Sequence, residues 1–281
     1  GIGVDNIDVA EATRQWIHVT HVTAYCLDEV SDHAMALLLA CARKTCAYHV
    51  AMGQDNWSLQ TGAPMYRLRG RTLGILGLGK IGQTLAPKAQ AFGLGVIAYD
   101  PYVAPEVAAE MNVELVDLDG LLEQADYVSI HAPLNAETRG LIDERRLRQM
   151  KPTAVIVNTA RGPIIVQKAL VHALQEGWIG AAGLDVYEEE RLVPGHPLLG
   201  LPNVVLTPHV AFYSEEALQD LRTYGATNVA RVLAGRRPLA VVNPEVLHLP
   251  RWAHLILTGC DLVAQRRDVV WIVRSLEWAL V

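Results

Sequence analysis

The sequence predicts an α/β fold with a doubly wound parallel sheet at its centre. Three observations carry the prediction. Six short apolar runs lie between residues 72 and 206 and alternate with segments of helical pattern. Within the runs the apolar residues are continuous, the pattern of strands buried on both faces. Strand, helix and strand repeated this often make a parallel sheet wrapped by helices.

Taken in order, Gly1-Ile2-Gly3-Val4-Asp5 reads as the end of a strand entering a turn, so a segment upstream of Gly1 is expected. Residues 28 to about 50 predict a helix, with Asp28, Glu29 and Asp32 at its start and Arg43 and Lys44 near its end, as the helix dipole favours. Gly53 stops it. Residues 55–69 are polar and irregular, a linker or an arm. The strands follow at 72–76, 96–99, 127–130, 154–157, 182–184 and 204–206, with a weaker one at 113–116. A longer helix over 214–233 ends at Gly235, and Val241-Val242-Asn243-Pro244 is one more extended piece.

Composition narrows the function classes. The 281 residues hold 24 Lys plus Arg against 30 Asp plus Glu, a net charge of −6. Without a basic stripe, nucleic acid is not an expected partner. Cys26, Cys41, Cys46 and Cys260 show neither metal-ligand spacing nor a paired framework, which fits a reducing cytoplasm. The longest apolar run, residues 34–42, is too short to span a bilayer, and no signal peptide is visible.

The first strand leads into Gly77-Leu78-Gly79-Lys80-Ile81-Gly82, and a helix follows. The first glycine allows a tight turn, the second lets a pyrophosphate approach the backbone, and the third lets helix and strand pack closely. The helix N-terminus offers its N–H groups to phosphates. Asp100 ends the second strand, 18 residues beyond Gly82. A carboxylate there holds ribose hydroxyls and repels a 2′-phosphate, so the expected cofactor is NAD and the expected domain a Rossmann domain.

Three further segments extend the pattern. Leu121-Leu122-Glu123-Gln124-Ala125-Asp126 continues through His131-Ala132-Pro133-Leu134 to Thr138. Met150-Lys151-Pro152 precedes Val157-Asn158-Thr159-Ala160-Arg161-Gly162. Gly183-Leu184-Asp185-Val186 is followed by Glu190, His196-Pro197-Leu198 and Leu206-Thr207-Pro208-His209. In this order the chain, from Gly1 to about Leu247, resembles the D-isomer-specific 2-hydroxyacid dehydrogenases. Tyr99-Asp100-Pro101-Tyr102 and residues 211–217 are most similar to the branch of the C-terminal-binding proteins and the bacterial phosphoglycerate dehydrogenase-like enzymes. The resemblance implies NAD-dependent hydride transfer on a 2-keto or 2-hydroxy acid of glyoxylate, hydroxypyruvate or 3-phosphoglycerate type. It implies a homodimer, with the helix after Asp28 and the arm around Trp57 as contacts.

Each task of that reaction finds a residue. A fixed guanidinium fork at Arg161, just beyond a strand's carboxyl end, suits a substrate carboxylate and ketone. His209, after a strand and Pro208, suits proton supply and recovery. A carboxylate paired with that imidazole stabilises the imidazolium and fixes its tautomer. Glu188, Glu189 and Glu190 form a run, and only the family register selects Glu190. The resemblance also gives Ile2 and Gly3 to the substrate carboxylate. It assigns His131, Ala132, Pro133 and Thr138 to the adenosine side of the cofactor, and Thr159, Ala160 and Asp185 to its nicotinamide side. Gly77, Gly79, Lys80, Ile81, Gly82 and Asp100 complete the cofactor set.

The expected layout is a remnant of the substrate domain over 1–27, the NAD domain over 28–210, a helix and return segment over 211–247, and a tail of unknown structure over 248–281. Family members normally carry several tens of residues before Gly1, which form most of a flavodoxin-like substrate domain; here it is partial. The family's Asp or Asn and Glu after the arginine loop are Val166 and Gln167 here, and Arg191 replaces the proline after the glutamate. Two other readings stay open at this level: an NAD(H)-sensing scaffold with little turnover, and an inactive gene fragment.

Overall fold

The computed structural model describes residues 1–248. Apart from His248, the tail expected over 248–281 lies outside the described residues, as does Cys260. The chain divides into two compact units: Cys26–Ser214, and Gly1–Tyr25 together with the segment from Glu215 onward.

The first unit holds α1 (Val9–Arg14) from one chain end. Inside it Thr20 and Val241 form an antiparallel bridge, in the stretch expected to be extended. Buried Asn243 fastens the two ends. Its Oδ1 accepts from the Val19 N–H at 2.9 Å, and its Nδ2 donates to Ile17 O at 2.9 Å and Thr13 Oγ1 at 3.0 Å. The longer helix of this unit, Glu215–Leu233, matches the helical pattern read over 214–233.

The second unit opens with α2 (Leu27–Arg43) and α3 (Thr45–Gly53). One continuous helix was the expectation; the chain breaks at Lys44, which takes φ 54. The reason is burial. Val30, Ala34, Leu37, Leu38 and Cys41 form a buried stripe that ends before the break, whereas α3 buries only Ala51, so nothing holds the two in line.

The alternation then runs β1 (Thr72–Leu76), α4 (Lys80–Ala91), β2 (Gly95–Tyr99), α5 (Pro105–Glu110), β3 (Glu114–Leu115), α6 (Leu118–Gln124) and β4 (Tyr127–Ile130). It continues with α7 (Glu144–Gln149), β5 (Val155–Asn158), α8 (Gln167–Gln175), β6 (Ala181–Leu184) and β7 (Val204–Leu206). The seven strands form one sheet in the order β3-β2-β1-β4-β5-β6-β7, and every pairing is parallel. Successive residues feed opposite faces. Leu73 and Ile75 join the core that α2 and α4 cover, while Leu76 joins the core that α6, α7 and α8 cover; Val157 and Ile156 divide likewise. Strand order reverses between β1 and β4. The crevice at that reversal, at the carboxyl ends of the strands, is where such sheets take ligands. Among the described residues no helix is long and apolar enough to cross a membrane.

Candidate active site

At the reversal, β1 runs into Gly77, which takes φ +96; a Cβ there would stand 2.7 Å from the Ala132 amide nitrogen. Only glycine lets the two loops pass. Gly79 is the N-cap of α4 without a side-chain cap, and no heavy atom lies within 4 Å of where its Cβ would be. The first turn, with Lys80, Ile81 and buried Gly82, therefore opens on a free face lined by backbone N–H groups. Asp100 follows β2 and accepts from the Leu78 N–H at 2.8 Å, the Tyr102 N–H at 2.9 Å and the Val103 N–H at 3.2 Å. Its carboxylate ties the glycine loop to the second strand's exit.

Across the reversal, His131, Ala132 and Pro133 leave β4. His131 is partly buried, with Nδ1 shut off from solvent, and this desolvation pushes its pKa down to about 4. Its Nε2 meets Ser129 Oγ at 2.8 Å, and its Nδ1 has no hydrogen-bond partner among the described residues. Thr138 Oγ1 donates to Pro133 O at 2.6 Å and closes this loop.

The loop after β5 is shaped by Asn158, the last residue of that strand. Its Oδ1 accepts from the Ala160 N–H at 3.0 Å and its Nδ2 donates to Arg161 O at 2.9 Å. Arg161 is extended at φ −147, and its Nη1 donates to Ala160 O at 2.8 Å. Thr159 is buried, its Oγ1 without a partner among the described residues. At Gly162 a Cβ would fall on the Tyr187 carbonyl oxygen, so the loops leaving β5 and β6 pass in backbone contact.

Asp185 leaves β6 fully buried, and its N–H donates to Asn158 O at 3.0 Å. Its carboxylate accepts from Thr207 Oγ1 at 2.6 Å, the Val210 N–H at 2.9 Å and the Ala211 N–H at 2.9 Å. Its carbonyl accepts from the His209 N–H at 2.9 Å. Both oxygens of Asp185 thus face the turn that follows β7. Neighbouring Tyr187 donates to Thr207 O at 2.7 Å; burial, then the Asp185 charge, pushes its phenol up to about 12.

His209 stands in that turn at φ +55, the left-handed region a non-glycine residue rarely enters. Its Nδ1 lies 3.2 Å from Glu190 Oε2, and its ring meets Phe212 edge-on with centroids 6.2 Å apart. A carboxylate only accepts, so Nδ1 carries the proton of that bond and Nε2 is the ring atom left for a ligand. The Glu190 side chain is mostly exposed, at 80%.

Of the residues expected at a site, Arg161, Asp185, Glu190 and His209 lie beyond the carboxyl ends of adjacent β5, β6 and β7, and the cofactor set lies around β1, β2 and β4. Ile2 and Gly3 belong to the other unit, where Ile2 O is 3.2 Å from His21 Nδ1. Asn158 and Thr207 lie within the sequence motifs, but nothing in those motifs signals that they shape the loops. His33, on α2, lies with its Nε2 2.9 Å from Thr207 Oγ1; its sequence signal is a polar residue beside an apolar helical stripe.

A family model described as D-isomer specific 2-hydroxyacid dehydrogenase, NAD binding domain, matches residues 35–211. The chain is 43% identical over 249 residues to the glyoxylate reductase of Korarchaeum cryptofilum, covering 88% of this chain and 75% of that protein. It is 43% identical over 246 residues to the D-3-phosphoglycerate dehydrogenase of Methanocaldococcus jannaschii, covering 86% of this chain and 46% of that protein. The D-lactate dehydrogenase of Aquifex aeolicus, solved with NAD and lactic acid, superposes with a TM-score of 0.78 at 30% identity, covering 84% of this chain and 75% of that one. The chain belongs to the D-isomer-specific 2-hydroxyacid dehydrogenase family, and NAD is the cofactor of its matched domain. The open face at Gly79, Asp100 at the end of β2 and the unpartnered Thr159 hydroxyl fit that group.

Proposed function

We propose that this chain reduces a small 2-keto acid, of glyoxylate, hydroxypyruvate or 3-phosphoglycerate type, to its D-2-hydroxy acid and reverses the reaction. The observation that carries the proposal is His209, held in a left-handed turn with Nδ1 on Glu190, which leaves Nε2 for a ligand. Gly77, Gly79, Lys80, Ile81, Gly82 and Asp100 would hold the dinucleotide's pyrophosphate and ribose. His131, Ala132, Pro133 and Thr138 would line its adenosine side, and Thr159, Ala160 and Asp185 its nicotinamide side. When bound, the nicotinamide supplies or takes the hydride.

Arg161 would grip the substrate's carboxylate and keto oxygen together, orienting the carbonyl and stabilising negative charge as it grows on oxygen. As the carbonyl carbon is reduced, His209 Nε2 would give its proton to the oxygen, and Glu190 would balance the imidazolium in the resting enzyme. In the reverse direction Nε2 takes the hydroxyl proton. The cysteines, whose spacing in the sequence fits neither a metal site nor a paired framework, support a cytoplasmic setting. Trp57 and Leu59, 79% and 72% exposed, support a homodimer contact along the arm.

NADH oxidation with glyoxylate, hydroxypyruvate, pyruvate and longer 2-keto acids tests the proposal, with Arg161→Ala and His209→Ala alongside. Turnover on one acid is expected. His209→Ala should lower kcat by about 10²–10⁴-fold, and Arg161→Ala should also raise KM. Turnover on none, or full turnover in His209→Ala, would overturn it.

A further inference from the structure

We infer that His33 on α2 is a positioning residue for the His209 turn, acting through Thr207 and Asp185 to fix the backbone that carries the proton donor. The inference rests on the reading of His209 given above.

Donor counting sets the direction of the chain. Thr207 Oγ1 lies 2.6 Å from Asp185 Oδ1 and 2.9 Å from His33 Nε2. A hydroxyl has one proton to give. The Asp185 carboxyl already receives the Val210 and Ala211 amides, and it accepts from Thr207 as well. The threonine oxygen can then only accept from His33, so the His33 proton sits on Nε2. The chain runs one way, from His33 Nε2–H to Thr207 Oγ–H to Asp185 Oδ1, and bonds in such a chain polarise one another.

Its far end is the strained turn. Three successive amides, at His209, Val210 and Ala211, all donate to Asp185, the first to its carbonyl and the others to its two carboxylate oxygens. A non-glycine residue at φ +55 persists only where its surroundings dictate it. Here the dictating group is one buried residue, Asp185, whose carboxylate also accepts from Thr207. Thr207 precedes Pro208 and His209 directly, so rotation of its hydroxyl away from Asp185 would loosen both anchors of the turn. The His33 N–H forbids that rotation. His33 itself is 3.7 Å from Asp185 Oδ1, and its side chain is 23% exposed.

His33→Phe keeps the ring's bulk and removes the donor; His33→Gln keeps an N–H donor. In the full chain with NADH and the preferred keto acid, His33→Phe should lower kcat about tenfold, with KM and NADH affinity within about twofold, and His33→Gln should recover most of the loss. Nitrogen-15 NMR of the histidine rings gives a second readout. Wild type should show the His33 proton on Nε2, and His33→Phe should shift the His209 ring signals, which His33→Gln returns. A His33 proton on Nδ1, or a His33→Phe chain with unchanged kcat and unchanged His209 signals, would overturn the inference. Equal losses in both variants would overturn it too, since they would mark a packing role. If the parent reading fails, wild type shows no turnover or His209→Ala stays active, while the ring spectra still report the chain of bonds. Thr207→Val, which removes the hydroxyl at constant shape, should reproduce the His209 shift if His33→Phe does not fold.

Discussion

The two ends of the proposed ligand crevice are built by different means. At the cofactor end, around β1, β2 and β4, the shape comes from backbone: a glycine at positive φ, a helix N-terminus left open, and Asp100 tied to amides 22 residues away or nearer. At the chemical end, around β5, β6 and β7, the shape comes from buried side chains reaching across the sequence. Asp185 is bound to the turn 22 to 26 residues on, and Thr207 to His33, 174 residues away. A surface meant to receive phosphates and sugar hydroxyls needs exposed donors in a standard layout, which local chain geometry supplies. A proton donor needs one orientation, and only a packed polar network over-determines it.

The sharpest break of this comparison is a matched pair of glycine substitutions. At Gly162 a Cβ would fall on the Tyr187 carbonyl, a backbone atom that cannot move without dragging the Glu190 loop. Gly162→Ala should cost at least the ~3 kcal/mol upper end of ordinary overpacking and abolish turnover. Gly79 has φ −74 and open space. Gly79→Ala should shift stability by less than ~1 kcal/mol yet weaken NADH binding, because the methyl would occupy the phosphate face. Urea unfolding of both, with NADH titration, reads the contrast. A stable Gly162→Ala with normal turnover would show that the chemical end is as forgiving as the cofactor end.

The second test concerns His131, whose ring is desolvated at the cofactor end. Burial lowers the folded pKa of His131 to about 4 from 6.5. The unfolded chain therefore takes up a proton below about pH 6.5 that the folded chain refuses until about pH 4. This group's full stability is present above pH 6.5 and is lost as pH falls through the window between the two values. From pH 7 to pH 5 the loss is about 2 kcal/mol, from 1.36 kcal/mol per pKa unit. His131→Gln, which can keep a bond to Ser129 without titrating, should lose less between those pH values in urea unfolding of the cofactor-free chain. An identical pH dependence in the two chains would mean that His131 does not carry it.

The same contrast decides what could be read in advance. The strands, the glycine loop and Asp100 are legible in sequence because each is marked by a pattern within one strand–helix–strand unit, although Gly77 also meets the backbone of Ala132. Arg161, Glu190 and His209 could be named only through the register of a family, since nothing local separates Glu190 from Glu188 and Glu189. The break at Lys44 was invisible because charge and apolar pattern carry on through it; only the extent of the buried stripe decides it. Asp185 was expected beside the nicotinamide, and nothing in its motif says that both its oxygens hold the His209 turn. His33 carries no motif, and its partner is set by how α2 lies on the sheet. Glu190 is within reach of His209 but largely in solvent.

The smallest expected effect tests whether the chemical end has traded local order for long-range order. Helix α8 begins at Gln167 after Val166, which supplies no side-chain cap. Gln167 does not turn back on its own helix. Its Oε1 accepts from the Glu188 N–H at 3.1 Å and its Nε2 lies 3.1 Å from His196 Nε2, so it steadies the loop that carries Glu190. A cap at position 166 is free to be added, since Val166 is extended at φ −70 and 37% exposed. Val166→Asp should stabilise the chain by about 0.5–1 kcal/mol through the cap bond and the helix dipole, with kcat unchanged. A gain of that size would mean that the helix start was left uncapped at a cost in stability while its first residue served the loop. No gain would mean that the first-turn amides are already satisfied, and that the two ends differ less in construction than their side chains suggest.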